Sequence, residues 1–90
     1  MLLMIVERFK GGDPVPVYRR FRDRGRLAPP DLIYMASWVT EGLTTCYQLM
    51  ECSRPDALEE WMASWRDLVD FEVHAVLTSE EARTIVAPRL

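Results

Sequence analysis

No asparagine occurs anywhere in this sequence, and lysine and histidine occur once each. Ten arginines stand against that one lysine, a bias expected of GC-rich coding that disfavours lysine and asparagine codons. One histidine and two cysteines fall short of any zinc-ligand spacing, so no metal site and no cofactor site is expected. Cys46 and Cys52 lie on one expected strand, roughly 20 Å apart if fully extended, whereas a disulfide needs Cα atoms within about 7 Å. Both are expected to be free thiols. Long hydrophobic runs are missing too. The opening MLLMIV is cut off by Glu7 and Arg8, has no basic flank or small-residue cleavage site, and is too short to span a bilayer. The expectation is a cytoplasmic protein with no membrane partner. Repeats, linkers and low-complexity segments are also lacking.

What is present suits one domain. Ninety residues with 49% hydrophobic and 28% charged content are too few for two cores and too apolar for disorder. A chain of this size buries only roughly 60–65% of its unfolded surface, so an uncovered apolar face would seek a partner. Charge is uneven. Residues 1–26 carry seven basic and three acidic side chains, net +4, and residues 27–90 carry four and eleven, net −7.

The pattern predicts the elements in turn. Leu2–Phe9 reads as a strand closed by the Lys10-Gly11-Gly12 turn. Asp13 caps a helix with Pro14 at its first position, ending near Gly25. Val17, Tyr18, Phe21 and Gly25 fall on one stripe about 100° wide, as a core-facing surface requires. Asp31–Thr40 and Thr44–Glu51 read as a hairpin about a tight Glu41-Gly42 turn. Ser53 and Asp56 resemble a capping box opening an amphipathic helix on which Leu58, Trp61, Met62, Trp65, Leu68 and Val69 share a face. Phe71–Leu77 alternates as a half-buried strand. Thr78 and Glu81 form a second capping-box pattern before a short helix. The order β-α-β-β-α-β plus a terminal helix is that of an α+β, ferredoxin-like fold, with helices on one sheet face and the other face open.

The segment DPVPVYRRFRDRGR (Asp13–Arg26) is the most conspicuous charge feature. Its arginines occupy the whole circumference outside the apolar stripe instead of one ridge, and no aromatics are interleaved for base stacking. A solvated helix face is therefore favoured over a nucleic-acid interface. The Lys10-Gly11-Gly12 turn lacks the spacing of a phosphate-binding loop, and Asp13 places a carboxylate where an anion would sit.

Candidate site residues follow from strand alternation. If Phe71, Val73, Ala75 and Leu77 face the helices, Glu72 and His74 share the open face. The same alternation puts Tyr47 and Leu49 inward, with Cys46, Gln48 and Met50 on the open face. Arg8 or Glu7 on the first strand, whose facing the pattern leaves open, could complete a polar cluster with His74, Glu72 and Gln48, able to position a small ligand or to act as acid and base. A histidine satisfied within a subunit interface is the favoured alternative. Trp38, paired with Thr45 by a two-residue turn, points toward the helices, and one extra loop residue would turn it to the open face.

MLLMIVERFKGGDPVPVYRRFRDRGR, SWV at Ser37–Val39, CYQLMEC at Cys46–Cys52 and EEWMASWRDLVDFEV at Glu59–Val73 resemble a family of small, functionally uncharacterised bacterial proteins. The resemblance spans essentially the whole chain and implies a dimeric α/β barrel, in which two ferredoxin-like subunits pack their sheets together. It implies a homodimer, and a small apolar or aromatic molecule bound between the two sheets is the expected function. Relatives on that architecture include cofactor-free monooxygenases and small isomerases, an alternative function, and a purely structural interaction module is another. Their functional residues do not carry over: the quinone-forming oxygenases use asparagine, and the haem enzymes use a helical histidine where His74 is expected in a strand.

Overall fold

Strand β1 (Leu2–Phe9) runs up the middle of the sheet in the computed structural model, which describes residues 1–90. A turn of 3-10 helix at Lys10–Gly12 leads to α1 (Val15–Arg24), then β2 (Leu32–Val39), β3 (Thr45–Cys52), α2 (Pro55–Ala63), β4 (Val69–Ala75) and α3 (Ser79–Val86). The four strands form one antiparallel sheet in the order β2-β3-β1-β4. The molecule is thus an α+β protein with three α-helices. No helix is long and apolar enough to cross a membrane.

Local chemistry accounts for most boundaries. Gly11 and Gly12 adopt φ of 65° and 64°, where a side chain would be strained, so the chain can leave β1 and enter α1 within three residues. The Asp13 carboxylate accepts from the Val15 N–H at 3.0 Å. Asp13 is nevertheless not the N-cap: α1 begins one residue later than the proline pattern predicts, with Pro14 at the N-cap and no side-chain cap bond. The Thr78–Glu81 capping box has both its hydrogen bonds. The Ser53 box does not form: Arg54 is the N-cap of α2, and Ser53 bonds the Asp31 carbonyl instead. Helix α2 also stops at Ala63, so Leu68 and Val69 are not helical. A chain of turns from Trp65 delivers Val69 directly into β4, which starts two residues before the expected Phe71.

The core lies between the sheet and α2. Leu3 and Ile5 of β1, Met50 of β3 and Val69 of β4 pack with Ala57, Trp61 and Trp65. Trp61 meets Phe71 edge-on at 5.4 Å.

Sheet register corrects the expected facing of β3. Ile5 pairs with Gln48 and Leu3 with Met50. Directly opposed residues in an antiparallel pair share a face, so the buried row of β1 carries Gln48 and Met50 to the helix side. Both are buried, at 4% and 0% exposure. Tyr47 and Leu49 lie on the open face. Alternation misleads here because the inward row holds a polar glutamine and the outward row holds a tyrosine.

The hairpin turn is also longer than expected. Thr40 bonds Thr45 across a four-residue connection, and Trp38 pairs with Tyr47. Trp38 is therefore on the open face, 57% exposed.

Helix α1 buries none of its residues. Val17 packs on the core, but Tyr18 and Phe21 remain about half exposed. The stripe is apolar as expected, yet it overhangs a cleft instead of filling one.

Candidate functional site

That cleft is a semi-enclosed pocket. It has a volume of about 250 Å³ and lies between the overhanging α1, the sheet and α2. Val17, Tyr18 and Phe21 form its roof, Trp61 and Trp65 one wall, and Phe9, Val39, Cys46, Gln48 and Glu7 its floor.

Glu7 is placed there by β1 itself. Leu3, Ile5, Glu7 and Phe9 alternate toward the helices, and the flanking strands β3 and β4 cover both edges of β1. The residue is only 8% exposed. A charge in such a position is costly unless it is paired or neutralised. Burial raises its pKa to about 7 from 4.5, opposed in decreasing order by hydrogen bonding from Cys46, the charge of Arg26 and hydrogen bonding from Gln48. Gln48 Nε2 donates to Glu7 Oε2 at 3.0 Å. Arg26 Nε in turn donates to Gln48 Oε1 at 3.1 Å. The three side chains form a relay along one end of the pocket.

Arg26 reaches that end because α1 terminates beneath it. Gly25 at φ 73° and Leu27 at φ 63° turn the chain back on either side of Arg26. Trp61 and Trp65 both donate their indole N–H to its carbonyl, at 3.1 and 2.9 Å. Its guanidinium lies 3.8 Å from the centre of the Tyr34 ring and 5.2 Å from that of Phe21, a cation–π stack. The expectation that Arg26 belongs to a solvated arginine face is therefore corrected. Arg20 also has a partner, holding Asp67 through two bonds of 2.7 and 2.6 Å, which clamps α1 to the turn after α2.

Cys46 sits opposite Glu7 in the sheet pairing. Its thiol is pushed up to about 12, first by burial and then by the Glu7 charge. It remains protonated at physiological pH and is a weak donor, not a nucleophile.

The residues expected to form one cluster divide between two faces. His74, Glu72 and Arg8 do meet on the open face: Glu72 accepts from Arg8 at 3.0 Å and contacts His74 Nε2 at 2.5 Å. Hydrogen bonds from His74 and then Arg8 lower the Glu72 pKa. Trp38 shares that face, but it lies on β2, separated from β4 by two strands. Gln48 is on the opposite side of the sheet, for the register reason given above.

Sequence reasoning left the facing of Glu7 open and passed over Arg26. The signals were there. Glu7, with Arg8 beside it, interrupts an apolar strand between Val6 and Phe9, and Arg26 stands beyond the glycine that ends the helix.

An α+β sheet protein with a semi-enclosed pocket, aromatic walls and a buried carboxyl group is what the fold and site define. The whole chain, residues 1–90, matches the family described as Domain of unknown function (DUF3303), and it belongs to that family. The chain matches no curated protein and no solved structure.

Proposed function

We propose that this protein binds a small apolar or aromatic molecule in the pocket between α1 and the sheet, and that it does so as a ferredoxin-like homodimer. The observation that carries the reading is the pocket itself: apolar and aromatic walls converge on a few polar groups, the usual make-up of a small-molecule site. Its volume of about 250 Å³ is below the roughly 300 Å³ at which drug-sized sites begin, so the ligand has one or two rings. Covalent chemistry is disfavoured because the one thiol in the pocket is held protonated. Glu7 supplies a proton acceptor, and the two hydroxyl side chains of the lining, Tyr18 and Ser37, make no hydrogen bond to it.

A second location is favoured by a different observation. Ile33 and Trp38 of β2 and Tyr47 of β3 are exposed on the open sheet face. Two such faces packed together would enclose an inter-sheet space bordered by His74, Glu72 and Arg8.

Substitution separates the two locations. Val17→Trp fills the roof of the helix-side pocket without touching the open face. Binding of naphthalene-type molecules, followed by quenching of Trp61 and Trp65 emission, is expected to disappear in this variant. Unchanged binding by Val17→Trp would move the site to the inter-sheet space.

A further inference from the structure

The polar end of the pocket is more selective than an apolar cavity requires, and it specifies a ligand class. Resting on the pocket reading, we propose that the site takes the anion of an aromatic carboxylic acid, its carboxylate held by Arg26, and that Glu7 takes up a proton as the anion binds.

Three features of the geometry carry this. First, Arg26 is fixed for recognition. Its carbonyl is held by two indoles, its guanidinium is stacked on Tyr34, and its Nε is committed to Gln48. No side chain or carbonyl of the protein engages its two terminal nitrogens, which carry the paired donors that fit a carboxylate. Second, the walls beside it are aromatic rings, which suit a planar ring. Third, Glu7 is next to Arg26 through Gln48, so an incoming anion meets a second carboxyl group in a poorly solvated place.

Two carboxylates at such a site do not both remain ionised. The favourable arrangement is one proton between them, with protonated Glu7 donating its O–H to the ligand carboxylate. Every group facing Glu7 is compatible with that state. Across the sheet are Cys46 and Gln48 of β3 and the uncharged Phe71 of β4. From above come Tyr18 of α1, whose pKa is raised by burial, then by Cys46 and Glu7, and Arg26. From α2 and the turn after it come only the indoles of Trp61 and Trp65. Arg26 is the sole cation, so the empty pocket carries +1 with Glu7 protonated and zero with it ionised. An anion prefers the first form. Because the free carboxyl group titrates near 7, anion affinity is expected to fall by about fivefold over the first pH unit above that point and toward tenfold per unit beyond it.

Isothermal titration of the intact protein tests this, using 2-naphthoate, benzoate and the neutral naphthalene-2-methanol at pH 6, 7 and 8. Each is measured in phosphate and in Tris, whose different ionisation heats count the protons taken up. The expected result is carboxylate binding that weakens about fivefold from pH 7 to 8 with nearly one proton taken up at pH 8. Glu7→Gln is expected to retain binding and lose both the pH slope and the proton. Arg26→Met is expected to lose the preference for carboxylate over alcohol. Equal, pH-independent binding of naphthoate and the alcohol would overturn the carboxylate inference and leave the pocket standing as an apolar site. Absence of binding by all three at millimolar concentration would overturn the pocket reading and this inference with it.

Discussion

Glu7 shows how one buried carboxyl group can shape stability as well as recognition. In the folded chain its proton is held to about pH 7, against 4.5 for the ordinary side chain. Folding therefore favours the protonated form. The contribution of this group is fully present below about 4.5, declines as pH rises, and levels off above about 7. At about 1.4 kcal/mol per pKa unit the decline is on the order of 3 kcal/mol. Glu7→Gln keeps an acceptor for Gln48 and cannot ionise. Its stability by urea denaturation is expected to match the wild type at pH 4.5 and exceed it by about 2–3 kcal/mol at pH 8. Parallel pH curves for the two proteins would show that the carboxyl group is better solvated than its burial indicates. The residue was visible in the sequence as a charge within an apolar strand. Its inward facing was not, because in VERF the charged pair Glu7-Arg8 lies between two apolar residues and either member could face inward.

Elements were more legible than their facing. The β-α-β-β-α-β order and the first strand's limits are readable from turn residues and periodicity, and the Thr78 capping box is written out in full. The direction of β3 was lost because facing there is decided by pairing with β1, a long-range contact that local hydrophobicity does not encode. The connection before β3 was misread for a related reason. Glu41-Gly42 looks like a two-residue turn, but Thr40 Oγ1 accepts from the backbone N–H of Thr44 and of Thr45, stabilising a longer loop. That loop places Leu43 at φ 61° with its side chain half exposed. A left-handed leucine carries a backbone cost of roughly 1–2 kcal/mol, and little apolar burial offsets it. Leu43→Gly is expected to stabilise the protein by about 0.5–1 kcal/mol after allowing for the greater freedom of glycine when unfolded. A denaturation midpoint lower than wild type would indicate that the Leu43 side chain is covered in solution, for example by a second copy.

The whole molecule is unusually extended for its length. Its principal extents are 48, 30 and 17 Å, and its radius of gyration is 14.9 Å, against about 12 Å for a compact chain of ninety residues. Only 14 of the 90 residues are buried, so the apolar content of the chain is not consumed by its own core. Two surfaces hold the remainder. One is the open sheet face with Ile33, Trp38 and Tyr47. The other is α3, where Ala82, Ile85 and Val86 fall on one stripe, with Ile85 51% exposed and no extended packing partner within the chain. A well-capped amphipathic helix with an uncovered stripe is not stable from propensity alone at eight residues. A second copy covering both surfaces is the simplest source of the missing burial, and it is the basis of the proposed homodimer. Trp38 would then be a central, largely desolvated aromatic, the type that dominates interface energetics. Light scattering at micromolar concentration is expected to give twice the chain mass. Trp38→Arg and Ile85→Asp are each expected to weaken association by at least about thirtyfold, equivalent to about 2 kcal/mol. Both positions are exposed in the single chain, so the sheet itself should remain folded in these variants by circular dichroism. A wild-type monomer at that concentration would refute the homodimer while leaving the pocket between α1 and the sheet intact, because every residue lining that pocket comes from one chain.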